Sequence, residues 1–404
     1  MKIIHTGDWH IGKIVNEFSM IPDQGFILRE FLKVIKEENP DAIVIAGDLY
    51  DRSIPPIEAV ELLNDVFTKI LNEYKIPILA IGGNHDGGER ISFGNKLFKN
   101  NGLYIEGVLK KDISKVSLKD QFGNVNFYLI PYADPSLVRH IYEDSDIKTH
   151  EDGMRKIIEN IKSDMNLNER NIAVAHGYVT YVKEKDNNIS EEANEDYKTL
   201  RAGMEISDSE RPLSIGGTDL INGDIFKDFT YTALGHLHGP QKVGSDRIRY
   251  SGSLLKYSFS ETHQKKSITI INIDKNGELD VKIKPMISLR DMRIIKGNLE
   301  EIIKPEVYNL ENKDDYIYAI LTDEGEIIDP ISKLRSVYPN VMGLSREYIN
   351  ARESSRTSAS NGYKNRTKLE LFKEFYNSIT GKELDNKKEE VMTKIIEEVE
   401  KEEI

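Results

Sequence analysis

The chain is 404 residues long, 39% apolar and 30% charged, a globular composition with length enough for more than one hydrophobic core. It has no cysteine, which excludes a disulfide framework and every thiolate metal site, so a bound metal must be held by His, Asp, Glu or Asn. A net charge of -13 argues against recognition of nucleic acid through one broad basic face, while leaving room for a local site.

The N-terminus, MKIIHTGDWH, is strand-like from its second residue and has no basic-then-apolar leader. No later apolar stretch is long enough to span a bilayer, so a cytoplasmic protein without membrane contact is expected. In chain order, KIIHTG, AIVIAG, PILAIGG, VNFYLIP, NIAVAHG and TYTALG are nearly continuous apolar runs and read as buried strands. Between the early ones, DQGFILREFLKVIKEE and PPIEAVELLNDVFTKILNEY repeat apolar residues at helical spacing, and the second opens on prolines suited to a helix start. This βαβ alternation predicts an open α/β sheet. RIRYSGS, KSITIINID and ELDVKIKP extend it as strands, with DKNGE as a hairpin turn. The acidic stretch VKEKDNNISEEANEDYKTLRAG, around 183–200, interrupts the sheet region as a surface loop.

After Pro285 the pattern changes to strand, helix, strand, helix, strand, a small α/β unit. NARESSRTSASNGYKNRT lacks apolar periodicity and reads as a linker. The tail regains amphipathic spacing, with Leu369, Leu371, Phe372, Phe375 and Tyr376 in one helix and Val391, Ile395, Ile396 and Val399 in a second. Such a helical pair suits a partner's groove, or its own domain. The expected divisions are 1–284, 285–349, 350–367 and 368–404.

The chemistry lies at the strand ends. Asp8 and His10 follow the first run, Asp48 the second, Asn84, His85 and Asp86 the third, His176 the fifth, and His236 and His238 the sixth. In an open sheet those ends share one edge, so residues distant in sequence converge. The glycines before them, Gly7, Gly47, Gly82, Gly83 and Gly235, suit sharp turns, and the one-residue gaps in Asp8/His10 and His236/His238 aim each pair to one side of an extended backbone. Taken singly, each residue also reads as a capping Asp, a turn Asn or a hydrogen-bonded His. Seven of these nine, two aspartates, an asparagine and four histidines, match the N/O ligand set of manganese, iron or zinc and are too nitrogen-rich for calcium. They suit two ions about 3.5 to 4 Å apart that share a carboxylate and clamp the attacking and leaving oxygens of a phosphoryl displacement.

The order GDWH, GDLYD, GGNHD, AHG, GHLH resembles the calcineurin-like metallophosphoesterases. HTGDWHIGK, ERPLSIGGTDLI, YSGSLLKYSFSE and LELFKEFYNSITGKEL narrow the resemblance to the SbcD-type nuclease subunits of bacterial SbcCD complexes, over nearly the entire chain. The resemblance implies a β-sandwich flanked by helices over 1–284, an α/β capping domain that positions DNA over 285–349, and a helical tail that binds an SbcC-type ATPase. It implies that Asp8, His10 and His238 hold one ion, that Asn84, His176 and His236 hold another, and that Asp48 bridges them. His85 then faces the substrate, with Asp86 orienting it. Manganese is the expected metal. The implied activity is 3′-5′ trimming of double-stranded DNA and endonucleolytic cutting of single strands or hairpins, in repair and recombination. The implied assembly is a homodimer within a heterotetramer; the chain has no Walker sequence, so ATP would be handled by the other subunit. Arg52 is a candidate phosphate contact, and the helix from Pro56 to Tyr74 a candidate dimer contact. A phosphodiesterase for nucleotides or other small diesters, or a non-catalytic scaffold, are the alternatives.

Overall fold

The apolar runs Lys2–Thr6, Ala42–Ile45 and Ile78–Ile81 are buried along almost their whole length, as strands covered on both faces must be. This computed structural model describes residues 1–181, 204–213, 219–323, 325–347, 367–380 and 382–402; the acidic stretch from 183 and nearly all of the 350–367 linker lie outside them. The three strands pair in parallel, Ile4 opposite Ile43 and Val44 opposite Leu79, and Leu103–Glu106 adds a fourth. Ser267–Ile273 and Leu279–Pro285 complete a six-stranded sheet on the antiparallel side. Their hairpin turns where Asp274 accepts from the amides of Asn276 and Glu278 and Gly277 takes φ 79°.

The remaining strands do not extend that sheet, which corrects the single open sheet inferred from periodicity. Gly123–Ile130, Arg170–His176, Tyr231–Gly235 and Ser245–Tyr250 run parallel in a second six-stranded sheet, edged antiparallel by Ser114–Asp120 and Gln241–Val243. Phe127, Leu129, Ile172, Val174 and Ala233 pack face to face with Ile3, Val44, Leu79 and Ile271 of the first sheet. The result is the β-sandwich that the family resemblance implies. Continuous apolar runs are shared by both architectures, because the second sheet's outer face is also covered. Val138 of the helix Pro135–Tyr142, and Met154, Ile157, Ile158 and Ile161 of His150–Lys162, lie in one core with Tyr128, Ala173 and Ala175.

The helix Ile21–Glu38 starts with Pro22 in its first turn and ends on Asn39 in the left-handed conformation. It buries Ile27, Phe31 and Ile35. Trp9 stands edge-on to Phe31 and to Phe67 of the helix Ile57–Thr68, at 5.6 and 6.2 Å between ring centroids. It thereby fixes the turn carrying Asp8 and His10 against both helices.

The chain divides into two compact units, Met1–Arg293 and Ile294–Ile404. In the smaller, Tyr316–Leu321 pairs in parallel with Val341–Arg346, beside Met292–Gly297. Leu299, Ile302 and Leu334 from short helices complete a core with Ile317, Leu321 and Val341. The tail forms the helices Lys368–Thr380 and Asn386–Glu402, joined by a Lys373–Glu389 ion pair. Phe372, Tyr376, Val391 and Met392 line a largely apolar groove between them, while Leu371, Phe375, Val391 and Ile395 are exposed and Leu369 and Ile396 partly buried. No helix among the described residues is long and apolar enough to cross a membrane.

At the sandwich's far edge Arg170 donates both terminal nitrogens to Asp120, at 2.8 and 2.6 Å, and holds that carboxyl below the usual carboxylate range. Asp120→Asn should lower the unfolding free energy by about 1–3 kcal/mol at pH 7. A depressed folded-state pKa stabilises above the unfolded value, about 3.9, and the contribution is lost as pH falls through the folded value. Urea unfolding of both proteins should therefore show a gap that is full at neutral pH and narrows below about pH 4.

Candidate metal centre

The strand-end residues converge through kinked backbone. Asp8, His10 and Asp48 sit at φ 53°, 45° and 50°, and His236 at 111°, a region costly for residues with a Cβ and clustered at functional sites when it occurs. The surroundings enforce these turns. The Asp8 amide donates to the Gly47 carbonyl at 3.0 Å and the His10 amide to the Asp48 carbonyl at 2.9 Å. Gln24 donates to the His10 carbonyl at 2.7 Å and accepts the Gly12 amide at 2.9 Å. Alternation along an extended strand is therefore not what aims Asp8 and His10. Nor do His236 and His238 face the same place: His236 turns to Asn84 and His176, His238 to His10.

Of the glycines, Gly47 has the backbone that needs one, at φ 94°, and a Cβ there would lie 2.4 Å from His176 Nδ1. Gly235 serves close approach instead, since a Cβ would lie 1.9 Å from the Ala46 carbonyl oxygen. That contact lets the ends of the two sheets touch.

Asp8, Asp48 and all four histidines named as ligands are buried, and Asn84 is partly so. Asp8, His10 and His238 bring ligand atoms within 4.8 Å of one another, and Asp8, Asp48 and His176 do the same. His10 Nε2 lies 3.0 Å from His238 Nε2, and the Asp48 carboxylate lies 3.5 Å from His10 Nε2 and 3.5 Å from His176 Nε2. Asn84 Oδ1 is 2.9 Å from His176 Nε2 and 3.3 Å from His236 Nδ1. Asp48 thus stands between a cluster of Asp8, His10 and His238 and one of Asn84, His176 and His236.

The donor set fits divalent cations. Asp8 Oδ2, His10 Nδ1 and Asn84 Nδ2 are buried without a hydrogen-bond partner, an unfavourable state that a neighbouring cation relieves for the carboxylate. His176 donates Nδ1–H to the Ala46 carbonyl at 2.8 Å, so its Nε2 faces Asn84 and Asp48 oxygens. Two acceptors facing a lone pair repel unless something positive stands between. Burial opposes protonation of His176, but the Asp48 carboxylate outweighs it and lifts the ring to about 9, with a proton standing where a cation fits. Burial raises Asp8, and Asp48 adds to the rise; Asp48 itself, against the pull of burial, is drawn well below the carboxylate range by His176 and His10. Burial lowers His10, His236 and His238, keeping those imidazoles neutral, the form that ligates metal.

Residues 1–240 match the calcineurin-like phosphoesterase family model. The chain belongs to the calcineurin-like phosphoesterase family. Residues 288–380 match the SbcD C-terminal model, described as the type 5 capsule protein repressor C-terminal domain. The chain is also similar to TT1561 of Thermus thermophilus, at 11% identity and a TM-score of 0.36, with 70% of this chain and 98% of that one covered. For a dimetal phosphatase from Danio rerio the values are 13%, 0.39, 71% and 96%.

In this phosphoesterase, His85 stands edge-on to His10 at 4.7 Å and donates Nδ1–H to the Asp51 carbonyl at 2.8 Å; its amide donates to Asp48 Oδ1 at 2.9 Å. Asp86 does not orient that ring, a correction to the expected role. Its carboxylate instead accepts the amides of Leu49, Tyr50 and Gly83 at 3.1, 2.9 and 3.0 Å, tying the loops after the second and third strands together. Sequence adjacency suggested a pair, but successive side chains in a turn diverge. Asp51, not singled out beforehand although it closes GDLYD, gathers with His10 and His85 and accepts Lys13 at 2.7 Å. Arg52 is exposed, its guanidinium 3.9 Å from Asp51. Asp86→Ala would strand three amides and should cost about 2–4 kcal/mol of stability. Urea unfolding measures it, and an unchanged midpoint would mean that water takes over those amides.

Proposed function

We propose that the chain is the nuclease subunit of an SbcCD-type complex, cleaving DNA phosphodiesters at a two-ion centre. The observation that carries the reading is a cluster of seven candidate ligands, six of them buried and Asn84 partly so, in a phosphoesterase core, followed in the same chain by a match to the SbcD C-terminal model. A small-molecule diesterase needs little beyond the core.

On this reading Asp8, His10 and His238 hold one divalent ion, Asn84, His176 and His236 the other, and Asp48 bridges them. When bound, such ions offset the charge of phosphate oxygens and lower the pKa of a water in their sphere. The chain's own residues do the rest. His85, with Nδ1–H committed to the Asp51 carbonyl, keeps Nε2 as the nitrogen that exchanges a proton with a leaving oxygen. The burial of Asp8, His10 and Asp48 excludes bulk water from the inner side of the centre. Manganese suits the mixed oxygen and nitrogen donors. Arg52, exposed on the loop after Asp48, would serve as a phosphate contact of low sequence content.

The tail supports an ATPase partner, because exposed Leu371, Phe375, Val391 and Ile395 lie on two helices too short to bury a core of their own. Exposed Ile57 and Val60 on Ile57–Thr68, with exposed Phe93 and Leu97 further along, support pairing with a second copy.

Duplex DNA labelled at its end should release mononucleotides with manganese and resist after chelation. Hydrolysis of small chromogenic diesters with no attack on duplex, with or without an SbcC-type ATPase and ATP, would favour the small-substrate alternative. Asp48→Ala should lose both ions and all turnover. His85→Ala should keep its manganese and slow turnover about 10²- to 10⁴-fold; loss of manganese uptake would instead make His85 a ligand.

A further inference from the structure

Beneath His238 lies a charged pair that the reaction above does not use. Glu261 is fully buried, at 0% exposure, and Lys266 nearly so. Lys266 Nζ meets Glu261 Oε2 at 2.6 Å and also donates to the His238 carbonyl at 2.8 Å and to Ser253 Oγ at 3.0 Å. On the other oxygen, Oε1, Glu261 accepts the hydroxyls of Ser207 at 2.6 Å and Ser209 at 2.5 Å. Ser209 Oγ is in turn 2.6 Å from His238 Nδ1, with Glu261 Oε1 behind it at 3.4 Å.

We propose that Ser209 and the buried Glu261–Lys266 pair are positioning residues that fix the tautomer of His238 and thereby set the affinity of one of the two ion positions; this rests on the two-ion reading above. An ionised carboxylate only accepts hydrogen bonds, so the Ser209 proton points at Glu261. Reversing it would leave two oxygen lone pairs facing each other at 2.5 Å. Ser209 Oγ therefore accepts from His238, which must carry its proton on Nδ1. The Nε2 lone pair is then free, and it is Nε2 that faces His10 Nε2 at 3.0 Å. Lys266 closes the chain by holding Glu261 ionised and by gripping the His238 carbonyl, while Glu210 accepts the His238 amide at 2.7 Å. The residue is held at ring, amide and carbonyl.

A buried ion pair is poor evidence of stabilisation, since an apolar pair of similar volume is often as stable. Its distinguishing effect here is directional: an apolar pair would leave Ser209 free to donate and His238 free to take either tautomer. Partners of ligating histidines that fix ring orientation are worth about 10- to 100-fold in metal affinity.

The test is manganese binding to the full-length protein by isothermal titration calorimetry, with urea unfolding of the chelated protein alongside. Ser209→Ala should weaken one of two manganese ions by about 10- to 100-fold, spare the other, and leave the urea midpoint near that of the parent. Ser209→Thr, which keeps the hydroxyl, should restore binding. Glu261→Gln, whose amide can donate to Ser209 and release the serine proton, should weaken the same ion. Parental affinity for both ions in Ser209→Ala and Glu261→Gln would overturn the proposal, as would equal weakening of both ions in step with a lower urea midpoint. A parent chain that takes up no manganese at all would overturn the two-ion reading and this proposal together.

Discussion

Two carboxylates and four imidazoles share a buried rim in this protein, and that arrangement is unfavourable unless positive charge lies among them. The rest of the first unit is organised around the problem. Asp8, Asp48 and Asn84 come from the ends of one sheet, His176 and His236 from the ends of the other, so the rim exists only where the two sheets meet. The bonds that join the sheets there are bonds of the site itself: the His236 amide to Asp8 Oδ1 at 2.8 Å and His176 Nδ1 to the Ala46 carbonyl at 2.8 Å. Left-handed backbone at Asp8, His10 and Asp48 adds strain that the packing of Trp9 and the bonds of Gln24 hold in place. Sheet packing and ligand geometry are thus one structure, and a bound cation stabilises the folded form because the unfolded chain offers no such rim.

How much of this is legible in sequence depends on whether a feature is local. Strand ends that carry Asp, Asn or His after a glycine are local, and the residues quoted for them do meet. Membership of a sheet is not local: Ala42–Ile45 and Arg170–His176 have the same buried pattern yet belong to opposite sheets. The helix His150–Lys162 was readable, since Thr149 and Asp152 form a reciprocal cap, but its mixed polar face hid it. Glu261 and Lys266 were unreadable as a pair, because charged residues at a chain position ordinarily mean solvent and only the fold shows them buried. The role of Asp86 failed for a related reason: adjacency to His85 in sequence says nothing about which amides a turn presents.

On the proposed reading, the acidic composition and a DNA substrate are reconciled at the same centre. A chain of net charge -13 repels a polyanion at distance, and the long-range field falls within about 8 Å at physiological salt. On the two-ion reading, two divalent charges set against Asp8 and Asp48 would leave a local excess of positive charge, reversing the sign of the potential where a phosphate would sit. Attraction of that kind is short-ranged and works only on a phosphate already delivered to the rim. On that reading delivery would fall to other surfaces, and the second unit and the exposed apolar faces of the tail helices would attach the acidic core to a partner that holds the DNA. A core that relied on its own basic face would need neither.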